Sequence, residues 1–446
     1  MILLYRSIPL CALLWLLATM HPHVIFANEP PTPIEDSLPE LAAILESAKS
    51  KAPELAKETF LNLEASKRLK QAKAAYHPKL NLITNLGYRN DFRQGGEDST
   101  HVGLTYTAQL ERPIFHWGAI ESGVEKARIE NANNLLDYKY NKRTIQSSIR
   151  ANYLQLLLNN LALKNEVYHK EIIEAKSEDD EINFESGKLS ELAFKEKQLQ
   201  LKASLLRIEK IKQSQQRIVE QFKLYAGWEH INDSTIIEVP KHDLEQVEAW
   251  LRQELTVISG SKLWLGNNYM LKKMNNSILS HKEDIIQIKA QKRPLVNATA
   301  SARQNQTNTS TRNNIDTVSL FAGIRIQWNI YDGFLSKNLL AEAQLKLRRM
   351  TLESQQLSER TRLQAMELLD QLIYAVQNLE LEEAKFELER VKLDNSKSEA
   401  AIGRQTNKSL ENKKLEYDQR FLALQQYRAD LHIGIQNYKN LFYPLK

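Results

Sequence analysis

Apolar and polar positions alternate along four segments of this chain. The alternation covers residues 79–90 and 101–111, with Ile83 as an exception, and returns over 296–303 and 317–330. A side-chain period of two predicts β-strands with one apolar and one polar face. Because the segments lie close together in pairs, we predict two β-hairpins.

The segments that follow each hairpin have a helical pattern. Residues 124–186 and 334–402 contain neither glycine nor proline, and a further helix is predicted from 404 to 443. Helices this long exceed the roughly 8 to 20 residues common in globular proteins and need partners. An apolar seam with coiled-coil spacing supplies one on the last two helices: Ala365, Leu369, Leu372, Val376 and Leu379, then Tyr417, Phe421, Leu424, Leu431, Ile435, Tyr438 and Phe442.

The two halves of the chain repeat the same punctuation. A proline precedes each hairpin, one glycine precedes each long helix, and a second glycine follows it. Such self-similarity predicts a duplicated supersecondary unit. Gly187 and Gly403 are then the tips of two helical hairpins, because glycine ends a helix at low steric cost. The corresponding positions are Pro78, Gly118 and Gly187 in the first half and Pro294, Gly333 and Gly403 in the second.

The N-terminus has the pattern of a secretory signal peptide over residues 1–27, with Arg6 before a short apolar stretch. Cys11, the only cysteine in the chain, lies inside that stretch. We therefore expect an exported protein without thiol chemistry. The apolar stretch is shorter than the roughly 20 residues of a membrane-spanning helix, so membrane contact would have to involve strands or surfaces.

Composition argues against several classes of function. The 446 residues include 60 basic and 55 acidic side chains, a net charge of +5 that is spread along the chain, whereas nucleic-acid binding needs a clustered basic face. Metal-ligand, phosphate-loop and nucleophile motifs are absent from the sequence. We expect no enzyme activity, no cofactor, no metal site and no nucleic-acid partner.

The strands suit either a membrane or a soluble sheet. The strands have about 10 to 13 residues each, the length that a tilted membrane strand requires, but a half-buried sheet of a soluble protein has the same pattern. Four strands cannot enclose a barrel, since about eight are needed, and open edges do not occur in lipid. If the strands are in a membrane, several chains must share one barrel.

A polar strand face with excess positive charge is predicted to line such a pore. Lys79, Arg89, Arg303 and Arg325 lie on it against Glu111 alone, which favours anions. The alternative is that Lys79 and Arg89 lie at strand ends and extend to lipid headgroups.

Ordered motifs give the chain a family resemblance. These are the strand openings at 77–80 and 293–295, the strand-to-helix joints at 112–118 and 328–333, and the tip glycines, together with the signal peptide. In order and spacing they resemble the TolC-like outer-membrane efflux protein family over about residues 35 to 442.

The resemblance implies a fold and an assembly. The chain would be mainly helical with membrane strands, an internally duplicated module of two long antiparallel helical hairpins and two β-hairpins. Three copies would form a 12-stranded outer-membrane β-barrel and a shared periplasmic α-barrel. The expected partners are two further subunits, outer-membrane lipid, a periplasmic adaptor (membrane fusion) protein and an inner-membrane pump, either ABC or proton-driven.

The implied function is an exit duct for efflux or type I secretion, located in the outer membrane with a long extension into the periplasm. The alternative is a periplasmic coiled-coil scaffold or adaptor without a pore. The expected segments are the signal peptide 1–27, an N-terminal segment 28–77, β-hairpins at 78–112 and 293–331, helical hairpins at 113–226 and 332–446, and a joining segment at 227–292.

The resemblance also assigns gate and adaptor contacts to the periplasmic tips. In well-studied relatives acidic residues after the second tip narrow the pore, but Ser409 and Asn412 occupy those places here, and Ala193 follows the first tip. We therefore expect closure by helix packing and polar contacts. The tip residues are Gly187, Lys188, Ser190, Gly403, Arg404, Thr406, Ser409 and Asn412.

Overall fold

Within the described residues, the chain folds into eight α-helices and four β-strands. The computed structural model describes residues 30–91, 99–228, 237–260, 266–307 and 315–443, so the predicted signal peptide lies outside the described residues. The helices are α1 (Pro39–Lys51), α2 (Pro53–Ala74), α3 (Ala119–Glu185), α4 (Glu191–Ala226), α5 (Leu244–Gly260), α6 (Tyr269–Gln291), α7 (Leu335–Ala401) and α8 (Asn407–Phe442). The strands are β1 (Lys79–Asp91), β2 (Ser99–Phe115), β3 (Leu295–Thr307) and β4 (Ile315–Gln327).

The two long helices confirm the prediction from the glycine-free and proline-free segments. Each contains 67 residues, which corresponds to a rod on the order of 100 Å. The first begins five residues earlier than predicted, at Ala119, and includes Gly123 in its second turn. The helix after each tip contains 36 residues in both halves.

The same order of elements occurs twice along the chain. Helix, strand, strand, long helix and shorter helix follow one another from α2 to α4 and again from α6 to α8. The long helices begin at residues 119 and 335, and the shorter ones at 191 and 407, in each case 216 positions apart.

The four strands form one antiparallel sheet in the order β1-β2-β3-β4. Their bounds differ from the prediction by up to about four residues at several ends. β2 continues beyond Glu111 to Phe115, with a register shift between Pro113 and Phe115. Proline lacks the N–H that a regular ladder needs, so a bulge accommodates it. β4 ends at Gln327, so Trp328 and Ile330 lie outside the strand and are exposed.

The helices form two rows of four that continue the sheet. Next to the sheet, contacts follow the order α2-α3-α6-α7, and toward the tips they follow α4-α3-α8-α7. The first order matches the strand order because α2 leads into β1, β2 into α3, α6 into β3 and β4 into α7. Only α3 and α7 belong to both rows.

The apolar core is a belt halfway along the rods. On one side α1 packs on α3 and α4, where Leu41, Ile149 and Phe222 are fully buried. On the other side α5 packs on α7, and Trp250 and Leu369 are 1% and 0% exposed. Each such side chain stabilises the fold by about 1.5–3 kcal/mol. Ten of the twelve predicted seam residues of α7 and α8 lie in this second cluster, and the other two, Tyr417 and Phe421, contact Phe386.

A glycine inside α8 marks a close contact between α7 and α8. Gly434 lies within the segment predicted to be helical from 404 to 443, and α8 continues through it. A Cβ added at Gly434 would lie 2.6 Å from Leu372 Cδ2 on α7. The missing side chain therefore allows α7 and α8 to pack closely at the belt.

Alanine at this glycine should destabilise the protein, whereas alanine at Gly123 should not. Inside a helix alanine is favoured over glycine by about 1 kcal/mol, and at Gly123 the added Cβ would meet Gln287 at an ordinary 3.5 Å. At Gly434 buried Leu372 must move, and overpacking costs about 1–3 kcal/mol. We expect a higher thermal unfolding midpoint for Gly123→Ala and a lower one for Gly434→Ala, followed by circular dichroism in detergent. Equal stabilisation by both substitutions would contradict the close contact.

Candidate channel surfaces and helical tips

The strand register places the five predicted pore-lining residues on one face of the sheet. Lys79 is opposite Glu111, Arg89 is opposite His101, and Arg303 is opposite Thr107. Arg325 pairs with Asn297. Since side chains alternate between faces and partners share a face, these positions belong to the same surface. Whether that surface lines a pore stays a prediction.

Glu111 is the centre of a polar network at the helical end of this face. Its carboxylate accepts a hydrogen bond of 2.6 Å from Asn297 Nδ2 and lies 3.9 Å from the guanidinium of Arg325. Asn297 Oδ1 is 2.6 Å from His116 Nε2. One of the predicted basic side chains is therefore neutralised in part. Lys79 and Arg303 are exposed in the single chain.

The opposite face of the sheet is apolar and uncovered in the single chain. Leu80, Leu82 and Leu86 on β1 are each more than 70% exposed, and Leu320 on β4 is 79% exposed. A soluble monomer rarely leaves a continuous patch of this kind open to water. The face therefore requires an apolar environment or a partner.

The two tips have the same backbone geometry. Gly187 and Gly403 have φ angles of 74° and 73°, in the left-handed region where a side chain is strained. The N–H groups of Lys188 and Arg404 donate to Asn183 O at 2.8 Å and Glu399 O at 2.9 Å, which closes each preceding helix.

Polar side chains cap the helices that follow the tips. Ser190 Oγ accepts from the N–H of Ala193, and Thr406 Oγ1 accepts from the N–H of Ser409, both at 3.3 Å. Gln405 Nε2 also donates to Ser409 Oγ at 2.7 Å. Asn412 lies exposed on α8, one turn after Ser409. The predicted tip residues thus have identifiable local roles, while their roles as gate or adaptor contacts stay predictions.

The strand-to-helix joints contain a feature that the sequence comparison of the halves missed. Trp117 and Gly118 have φ angles of 55° and 82°, and Gly333 and Phe334 have 64° and 67°. Trp117 thus corresponds to Gly333, and Gly118 to Phe334, rather than glycine to glycine. A left-handed aromatic residue is unusual and must be held by its surroundings.

Contacts from the start of β3 hold Trp117 in place. Its Nε1 donates to Pro294 O at 2.8 Å, and the guanidinium of Arg293 lies 4.6 Å from the ring centroid. At the second joint the N–H and hydroxyl of Ser336 donate to Asp332, which lowers the pKa of this carboxyl group. The second joint therefore uses an Asp-Gly pair to begin α7, whereas the first uses an aromatic anchor.

Residues 44–227 match the model of the family described as outer membrane efflux protein. This match covers less than half of the chain and confirms the predicted resemblance to outer-membrane efflux proteins. Proteins of that family are channels and not enzymes, which supports the expectation that this chain is not an enzyme. Among curated proteins, no sequence matches.

Solved structures with the same fold are outer-membrane channels. CmeC of Campylobacter jejuni has a TM-score of 0.73 with 11% identity, covering 93% of this chain and 89% of that one. VceC of Vibrio cholerae has a TM-score of 0.64 with 15% identity and covers 93% and 100%. The open-state MtrE channel of Neisseria gonorrhoeae has a TM-score of 0.65 with 11% identity and covers 92% and 90%. At these identities the likeness shows the fold alone.

Helices long and apolar enough to cross a membrane are not found in the part of the chain that the structure describes.

Alanine at a tip glycine should loosen that tip. Gly187→Ala forces a side chain into a left-handed conformation that costs about 1–2 kcal/mol. We expect faster hydrogen exchange at the Lys188 and Leu189 amides, both bonded to Asn183 O. Gly260→Ala is the control, because an added Cβ there meets nothing within 4 Å and its φ is ordinary. Unchanged exchange at the tip would show that the turn does not depend on glycine.

Proposed function

We propose that this chain is the exit duct of an efflux or type I secretion system in the outer membrane. Three copies form a shared tunnel that passively conducts substrates from a periplasmic adaptor and an inner-membrane pump to the exterior. The sheet and each of the two helical rows contain four elements, and within the described residues each is open at both ends. This observation carries the proposal. Each row therefore needs neighbours of the same kind.

The sheet supplies the first pair of open edges. β1 and β4 each pair on one side only within the described sheet. Four strands cannot close on themselves, and unpaired backbone groups are not tolerated in lipid. The strands of 13, 17, 13 and 13 residues are long enough to cross a bilayer at a tilt. Pairing β4 of one chain with β1 of the next satisfies both edges.

The helical row toward the tips has open edges on the same two sides as the sheet. α4 at one end exposes Leu192, Leu199 and Leu206, seven residues apart. α7 at the other end exposes a second stripe with the same spacing, formed by Tyr374, Leu381 and Leu388. Apolar residues at this spacing form coiled-coil seams. The two stripes are suited to pack on each other between neighbouring chains.

The edges at the two ends of a row differ, so the contact is head to tail. A head-to-tail contact generates a ring when its rotation closes. The family resemblance supports three subunits, which gives 12 strands. It also supports placing the polar sheet face on the lumen, the helical hairpins in the periplasm and the tips Gly187 and Gly403 against the adaptor.

The recurrence of elements at 216 positions supports an internally duplicated module as the origin of each four-element row. In this proposal the hairpins at 78–112 and 293–331 form the barrel, and 113–226 and 332–446 form the periplasmic helices. The signal peptide 1–27 directs export and is removed. Residues 227–292 join the two halves.

Crosslinking between chains tests the ring. Leu199 lies 12 residues after Gly187, and Val391 lies 12 residues before Gly403, so they are at one height on the open edges. With Leu199→Cys and Val391→Cys together, a short dithiol crosslinker should give a ladder that ends at the trimer on denaturing gels. The control pairs Leu199→Cys with Leu381→Cys, ten residues or about 15 Å higher on α7, and should not crosslink. A ladder beyond three, or equal crosslinking of both pairs, would contradict the closed ring.

Single-channel recording in a planar bilayer tests conduction and the gate. We expect micromolar trivalent cations to leave the wild-type conductance unchanged, because Ala193, Ser409 and Asn412 cannot form a carboxylate ring. Ser409→Asp with Asn412→Asp should introduce a cation block, with potassium chloride conductance before addition as the reference. A collapse of wild-type conductance would refute the proposed gate, whereas release of the protein from membranes by high salt alone would favour the scaffold alternative.

A further inference from the structure

A small polar cavity lies in the belt where four parts of the chain meet. Its volume is about 30 Å³, and it is bounded by residues 32–34, by α3, by α8 and by the part of the joining segment that precedes α5. Arg150 of α3, Lys439 and His432 of α8, and His242 of the joining segment contribute its polar wall. None of the described residues that line it is acidic.

Positive charge exceeds negative charge around this cavity. Arg150 is bound through Nε to Glu35 at 2.9 Å, and this pair is roughly neutral. Lys439 Nζ donates to the carbonyl oxygen of Pro31 at 2.8 Å, which carries no compensating charge. Arg143 lies nearby and donates to the carbonyl oxygens of Lys439 and Tyr443. The carboxylate of Glu35 also acts on Lys439, but Arg150 already binds it, so the buried ammonium group lacks a counter-charge of its own, which is costly.

The protein environment disfavours the charged forms of Lys439 and His242. Burial and the neighbouring Arg150 lower the pKa of Lys439 to about 8. Burial and His432 lower the pKa of His242 to about 3. A negative charge in the cavity would oppose both shifts.

The histidine pair leaves one polar atom without a protein partner. The ring centroids of His242 and His432 are 3.9 Å apart, and His432 Nε2 donates to Pro240 O at 2.9 Å. His242 Nε2 is buried and has no hydrogen-bond partner within the described part of the chain. An unmet buried polar atom costs about 1–3 kcal/mol, and a hydrogen-bonding ligand in the cavity would remove this cost.

We propose that the cavity binds a monatomic anion of the size of chloride, held by Lys439 Nζ and His242 Nε2. A cavity of about 30 Å³ has room for about two water molecules, which suits a halide. The anion links α8 to the joining segment beside the N-terminal residues. It is a structural ion of the belt and is independent of what the proposed duct conducts.

Bromide provides a direct test by diffraction. Crystals grown with sodium bromide should show an anomalous peak in the cavity for the wild type and for Lys408→Met, whose site is exposed at the start of α8. Lys439→Met should lose the peak. Wild-type crystals with ordinary solvent density and no anomalous signal in the cavity would overturn the proposal.

Thermal unfolding tests the same site in solution. At equal ionic strength, sodium chloride or bromide should raise the unfolding midpoint above that in sodium gluconate, by linkage to a bound ion. His242→Phe keeps an aromatic ring beside His432 but removes Nε2, and should weaken the apparent halide affinity about tenfold or more, equivalent to about 1.4 kcal/mol. It also serves if Lys439→Met does not fold. An equal rise in gluconate, or full halide response in His242→Phe, would refute the site, and neither result bears on conductance.

Discussion

Unsatisfied edges are the constraint on which this structure depends. Within the described chain, the sheet ends at β1 and β4, and the row near the tips ends at α4 and α7. The strand edges expose backbone hydrogen-bonding groups, and the helix edges expose apolar stripes. Hydrogen bonding and the hydrophobic effect thus leave the same two sides of the molecule incomplete. A head-to-tail ring satisfies both at once.

The belt explains how rods on the order of 100 Å can be stable in a chain with so little compact volume. Two apolar clusters, built around Phe222 and Trp250, bind α1 and α5 to the outside of the rods. Close packing of α7 on α8 at Gly434 belongs to the same level. Away from the belt, fewer side chains are buried in the single chain, so in the proposed ring the sheet and tips would gain more from neighbouring chains than the belt would.

Much of this arrangement could be predicted from the sequence because long periodic patterns are reliable signals. The strands, the 67-residue helices and the tip glycines followed from alternation, heptad spacing and the position of glycine. The end of β2 beyond Pro113 and the close approach of Gly434 to Leu372 did not, since both depend on contacts distant in sequence. The left-handed conformation of Trp117 could not be predicted, because Pro294 and Arg293, which are distant in sequence, hold it. The polar face could be listed from alternation, but the pairing of Glu111 with Arg325 required the register.

The sharing of α3 and α7 between both rows has a mechanical consequence. Of the four helices near the tips, two run unbroken to the sheet, whereas α4 ends at Ala226, before Gly227 with its left-handed φ of 58°, and α8 ends at Phe442. A load applied at the tips therefore reaches the sheet directly through two rods per chain. The other two rods carry it into the belt, where Phe222 of α4 and Tyr438 of α8 are buried.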